Sequence, residues 1–394
     1  MSHSEPSRSS LDYQCLTTLS SQLQSRPGRK LPSSVACDRR ASVAIILRSC
    51  PTSPSGSDHP DAESFDQPLE EYLKEEKFRH ARLELLYIVR ARSPSDRWSG
   101  HVAFPGGRCH PNESDQQAAE RETKEEIGLT LARPNFVCLG ALDDRTVVTF
   151  GGWKQLLTLG AYVYLQTCPV TPPLVLDTQE VELAYWVPLE AIFRHLPQYQ
   201  GVNGKPVHQP LYWNPVRVEM HHRRTSSRWW AHYPPLAWVL RQILGTYDFH
   251  CLALPMTTAT PGRTLTSPTL PPSDNPYVSH DQGLRLWGLT LQMTSDLVDR
   301  CFTPKDLPRY PLSGPPPTFG HWEVKLILKL WYYWSIYRRH TSFPTEDSIQ
   351  KSYHRALYLA VLVTAVTRVS FGVWLLCWLK RHIISKVLAL LKRI

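Results

Sequence analysis

The chain has 394 residues, 42% hydrophobic and 20% charged, enough for one large or two ordinary domains with a proper core and too long to need staples. Lys and Arg (44) exceed Asp and Glu (35) to give +9, but the last 74 residues hold 12 of the bases and only 3 of the acids. The first 320 residues are balanced at 32 of each sign, so the charge is a property of one tail and a nucleic-acid partner is not expected.

The nine cysteines are scattered, odd in number and form no C-x-x-C pair, which favours a reducing compartment. Residues 1–38 are rich in Ser and Pro without a sustained period and read as a flexible arm. Their Ser- and Arg-rich, acid-poor composition also has a transit-peptide flavour, but no secretory signal is visible. Ordered sequence is expected from Arg39, with strands over Ala41–Leu47 and Leu83–Val89, both apolar and β-branched. Between them lies a Pro/Ser/Asp loop, Pro51–Pro68, and a short charged helix over Leu69–His80. Further strands are expected at Asn135–Gly140, Leu156–Leu165 and Glu182–Val187.

The clearest helix lies at Asp115–Ile127. Ser114 is placed to cap it with Gln117 as the reciprocal half of a capping box, and Gly128 stands where a left-handed C-cap is wanted. Glu122, Glu125 and Glu126 fall at i, i+3 and i+4 and share one face. Such crowding costs about 0.2–0.5 kcal/mol per like-charged pair, intelligible if a divalent cation sits among them; all-oxygen ligands favour Mg²⁺ or Mn²⁺. A solvated acidic face is the plain alternative, but the turn Phe104–Gly107 just upstream, with two glycines open to close approach, argues for a site.

This stretch resembles the Nudix box. Gly107, Glu113, Arg121-Glu122, Glu125-Glu126, Gly128 and Leu129 are in register, with Thr123 departing from the expected aliphatic. The resemblance extends over Arg39 to Arg300, and Gly100–Gly107 is similar to the coenzyme A diphosphatase branch, although Asp96 stands where that branch has arginine. It implies an α+β fold, an α/β/α sandwich with a mixed sheet between helices, and hydrolysis of a pyrophosphate linked to another moiety. It also implies metal binding by Glu122, Glu125 and Glu126 with a backbone carbonyl of Gly106 or Gly107. Arg121 would orient the glutamates, and Glu113 could reach the metal shell through water. Glu125 or Glu126 is the first choice of general base, with Glu180 and Glu182 as outside candidates; Arg90, Arg92, Arg97 and Arg108 are candidates for substrate phosphates.

A closing helix is expected at Leu286–Val298, after an insertion at 221–281; a smaller one falls near 51–75. A Pro-rich linker at 301–320 leads to a tail, 321–394. Trp322–Arg339 mixes aromatics with Lys and Arg as interfacial helices do, and Ala356–Leu379 is long enough to cross a bilayer. Arg368 at its centre costs about 2.5–3.5 kcal/mol, which twelve Leu, Val and Phe outweigh at about 0.3–0.6 kcal/mol each. A single spanning helix is the first expectation; an in-plane or re-entrant segment and a soluble hairpin are the alternatives. The expected whole is an intracellular, membrane-associated Nudix-type pyrophosphatase acting on a nucleotide derivative, with a peroxisomal or mitochondrial membrane left open. The competing reading is a membrane adaptor that keeps the fold for binding without turnover.

Overall fold

In the computed structural model the described residues are 8–32, 39–51, 69–73, 81–92, 99–148, 155–193, 216–219, 246–249, 251–254, 278–279, 283–302, 318–319, 321–338 and 346–391. In chain order the elements begin α1 (Arg8–Ser25), β1 (Arg40–Pro51), α2 (Leu69–Tyr72), β2 (Ala81–Arg90), β3 (Val102–Ala103), β4 (Gly106–Arg108) and α3 (Asp115–Ile127). There follow β5 (Phe136–Ala141), β6 (Arg145–Val148), β7 (Gln155–Gln166), β8 (Val181–Pro188), α4 (Leu189–Phe193), β9 (Val216–Glu219), β10 (Thr246–Phe249) and β11 (Cys251–Leu254). The last are β12 (Val278–Ser279), β13 (Gly283–Trp287), α5 (Gly288–Arg300), β14 (Thr318–Phe319), α6 (Trp322–Arg338) and α7 (Glu346–Leu391). Contacts divide the chain into two units, one formed by Met1–Val147, Gln155–Val216 and His250–Pro316, the other by Val148–Lys154, Arg217–Phe249 and Pro317–Ile394.

The first unit is built on a mixed sheet in the order β3-β2-β1-β7-β5, with β4 added to β1, β6 to β7 and β8 to β2. β1 and β7 run parallel, Ala44 opposite Tyr162, while β1–β2 and β2–β8 are antiparallel. Strand alternation sorts the side chains to two faces. Ile45, Leu47, Leu85 and Tyr87 join one core with Leu16 and Leu19 of α1 and Leu297 of α5. Ala44, Ile46, Leu86 and Ile88 join the other with Ala119 and Ile127 of α3. The result is an α/β/α sandwich with the sheet in the middle.

The expected strands and the α3 helix stand where the sequence places them, and two elements differ. The N-terminal arm contains α1, whose Cys15, Leu16, Leu19 and Leu23 are buried and whose Asp12 carboxylate accepts the Leu83 amide at 3.0 Å. A helix whose own polarity hides its seam is stabilised by tertiary packing, which outweighs Ser-rich composition. The closing helix starts at Gly288 because Leu286 and Trp287 are drawn into β13, paired with Leu252 and Cys251. Of the helix expected over Leu69–His80, α2 covers Leu69–Tyr72, and 74–80 lie outside the described residues, as do most of both insertions and 303–317 of the linker.

In the second unit β14 pairs with β10, Tyr247 opposite Phe319, in a small sheet that also includes β9. α6 packs on α7 through Val324, Leu357, Ala360 and Val361. α7 contains a 29-residue stretch, Arg355–Ile383, that is long enough to cross a membrane and includes an apolar window of mean hydropathy 1.9.

Candidate active site

The site is assembled by α3, the β4 turn and the loop before β8. Ser114 accepts the Gln117 amide at 3.2 Å while the Gln117 side chain accepts the Ser114 amide at 2.9 Å, closing the capping box. Gly128 ends the helix at φ 76°, and a Cβ there would come within 2.9 Å of Val175, so the residue serves both the left-handed cap and the approach of the next loop. That loop is tied to the helix end: the Val175 amide donates to the Ile127 carbonyl at 3.0 Å and the Asp177 amide to the Glu126 carbonyl at 2.9 Å. Glu180 is thereby carried to the acidic face of α3.

Glu122, Glu126 and Glu180 each offer a carboxylate oxygen within 4.8 Å of the other two. Glu126 is 1% exposed; its Oε2 accepts the Gly106 amide at 2.9 Å and its Oε1 lies 3.6 Å from Arg90 Nη1. Burial pushes its carboxyl up to about 8, with Gly106 and Arg90 opposing and Glu122 and Glu180 adding to the rise. Burial also raises Glu122, against the pull of Arg121. Three acid groups held together with too little positive charge are what a divalent cation would neutralise, so these residues fit Mg²⁺ or Mn²⁺. Gly107 leaves room beside them, since a Cβ there would fall 2.4 Å from the Glu122 carboxyl carbon.

Arg121 is the hub of the outer layer. It donates to Glu113 at 2.8 and 3.1 Å, to Glu122 at 3.0 Å, to Glu125 at 2.8 Å and to the Arg108 carbonyl at 2.9 Å. Glu113 also accepts the His110 amide at 2.8 Å, and the Arg121 bond holds its carboxyl below the usual range. Glu125, with its side chain 59% exposed, faces outward on this arginine, whereas the sequence places it with Glu122 and Glu126. Glu180 is the third carboxylate of the close group, and its signal in the sequence is slight because a loop, not a helical period, delivers it. Arg92 stands 3.8 Å from Glu182, Arg108 is exposed, and Arg97 lies outside the described residues. Thr123 is fully buried, and its hydroxyl donates to the Ala119 carbonyl at 2.6 Å, so the polar substitution in the box is satisfied inside the helix. A depression of about 490 Å³ lined by His110, Glu113, Glu120, Arg121 and Lys124 lies on the outward side of α3 and includes none of the three grouped glutamates.

Residues 78–209 match the NUDIX domain. The fold is of the Nudix type. An uncharacterized Schizosaccharomyces pombe protein is 27% identical over 296 residues, 74% of this chain and 79% of that relative. The mitochondrial coenzyme A diphosphatase of Mus musculus is 44% identical over 50 residues, 12% of this chain and 24% of the relative, so the similarity spans a quarter of that enzyme. Among solved structures, a MutT/nudix family protein from Enterococcus faecalis superposes at a TM-score of 0.25 with 17% identity over 48% of this chain and 57% of its own.

Proposed function

We propose that the protein hydrolyses the diphosphate bond of a nucleoside diphosphate linked to another moiety, with Mg²⁺ or Mn²⁺, while attached to a membrane through α7. The observation that carries this reading is the group Glu122, Glu126 and Glu180 against the Gly106-Gly107 turn in a Nudix-type fold. Those three carboxylates would hold the cation, with a carbonyl of Gly106 or Gly107 as a further ligand. A bound divalent ion neutralises phosphoryl charge and makes water a better nucleophile. Arg121 fixes the side chains around it, and Gly106 holds one oxygen of Glu126 in place. Glu125, exposed and within reach of solvent, is suited to take the proton from the attacking water, with Glu126 as the other choice. Arg90, Arg92 and Arg108 are candidates to meet the substrate phosphates.

Coenzyme A is the first substrate to test, on the strength of the 50-residue similarity to the mouse enzyme. The full chain is offered coenzyme A, ADP-ribose and dinucleotide substrates with each metal, beside Glu126→Gln. Metal-dependent release of two phosphorylated products by the wild type alone supports the reading. Equal background rates for both proteins on every substrate would sink it and favour the adaptor.

A further inference from the structure

We infer that α6 and α7 bind a lipid bilayer together as a hairpin lying in one leaflet, with Glu323 and Arg368 held at headgroup level, rather than α7 crossing alone. This rests on the membrane attachment proposed above and deepens it.

At about 100° per residue, Leu357, Ala360, Val361, Thr364 and Arg368 lie on the side of α7 that meets α6, and Leu359, Leu362, Val363 and Val366 lie opposite, exposed. Past Arg368 the exposed apolar surface runs all round the helix, from Phe371 through Val373, Trp374, Leu375 and Leu376 to Trp378. α6 adds a stripe at every fourth residue, Trp322, Leu326, Leu330 and Trp334, also exposed. A helix apolar on every side suits hydrocarbon better than a protein groove, and Trp with flanking cations suits the interface. Lys325, Lys329, Lys380 and Arg381 are exposed along the same hairpin and complement anionic headgroups, with stems long enough to reach up from the embedded surface.

The position of the ion pair decides between lying and crossing. Arg368 Nη2 is 2.7 Å from Glu323 Oε1, and Nη1 is 3.3 Å from His321 Nε2. Glu323 is in the first turn of α6, and β14 just before it is paired with β10, so non-helical chain arrives at the level of Arg368. A crossing centred on Arg368 would draw that chain into hydrocarbon, where lipid-exposed irregular backbone is not tolerated. From Arg355 to Arg368 α7 rises about 20 Å, and from Val369 to Leu379 about 16 Å. Each falls short of the roughly 30 Å hydrocarbon core. With the pair at the surface, both stretches and all the cations are accommodated by a helix that runs along the membrane.

The test uses the full chain with a protease-cleavable tag before Met1 and another after Ile394, in sealed cellular membrane vesicles, with and without detergent. Both tags equally accessible, or both protected until detergent is added, with the protein pelleting after a high-salt wash, is the expected result. One tag cut and the other protected would overturn the in-plane hairpin while leaving membrane attachment intact. Protein that does not pellet would overturn the attachment itself. In a second measurement, preformed vesicles of phosphatidylcholine with phosphatidylserine should bind about tenfold or more protein than phosphatidylcholine alone. Equal binding would overturn the headgroup contact by the cations.

Discussion

Glu84 and Glu126 are both buried on the same face of one sheet, and they are treated in opposite ways. Glu84, 2% exposed, accepts from Arg48 at 2.9 and 2.6 Å and from Arg82 at 2.5 Å, and the Arg48 guanidinium rests 4.2 Å over the Trp186 ring. Glu126, 1% exposed, has one backbone amide and an arginine at 3.6 Å. The first carboxylate is closed by protein charge and can only hold the sheet together. The second is left short of positive charge beside two more acids, an arrangement that costs stability and makes sense where a cation completes it.

The largest expected effect comes from removing the charge at the open position. Glu126→Gln should lower metal-dependent turnover by roughly 10³–10⁴-fold, about 4–5.5 kcal/mol. It should leave the metal-free fold at least as stable, since the cost of ionising a buried carboxyl is removed and an amide oxygen remains for Gly106. Thermal denaturation with and without Mg²⁺ checks both parts, because the wild type should gain stability from the ion and the variant should not. At the closed position the signs reverse. Glu84→Ala should cost about 3–5 kcal/mol in urea unfolding by stranding Arg48. Replacing the pair, Arg48→Met with Glu84→Leu, should recover most of that loss.

Asp12 sharpens the contrast as a third buried carboxylate, 5% exposed, which accepts the Leu83 amide at 3.0 Å. Burial pushes it from 3.8 up to about 6, so the folded protein binds its proton more tightly than the unfolded chain does. The resulting penalty is absent below about pH 4, grows as pH rises toward 6 and is complete above it. Asp12→Asn should therefore stabilise the protein by about 3 kcal/mol at pH 8 and by little at pH 4, read from denaturation midpoints across that range. A gain independent of pH would show that another effect is at work. The smallest effect is expected from Glu125→Gln, about 10²-fold in turnover (about 2.7 kcal/mol), the low end for a lost general base, with the metal-induced thermal shift retained because Arg121 holds this residue outside the close group.

Legibility followed locality. The caps of α3 are written in residues three or four apart, so Ser114, Gln117 and Gly128 could be assigned from spacing alone. The strands of the sheet show their apolar runs, and Glu126 and Gly106, the inner pair of the site, are both within the box. Glu180 was legible only as an outside acid, because its place depends on two amides of the 174–180 loop meeting the end of α3. α1 was hidden for a related reason: Leu16, Leu19 and Leu23 make a seam only once β2, β5 and α5 exist to receive it, and the polar remainder reads as an arm. The tail's composition pointed to a membrane, while the Glu323–Arg368 pair that bears on its depth joins two helices and has no local signature.

The seating of α1 also sets an order of events during synthesis. Its Leu16 and Leu19 share a core with Leu297 and Val298 of α5, and the Arg26 carbonyl just after it accepts from Arg300 at 2.9 Å, so α1 closes against a helix that leaves the ribosome nearly 300 residues after it. At about 5–20 residues per second the wait is roughly 15–60 s. An 18-residue helix without its partners is marginal in water. Until α5 emerges, Leu16, Leu19 and Leu23 lack part of the core they join, and an early segment of the first unit waits for its latest helix to be sealed.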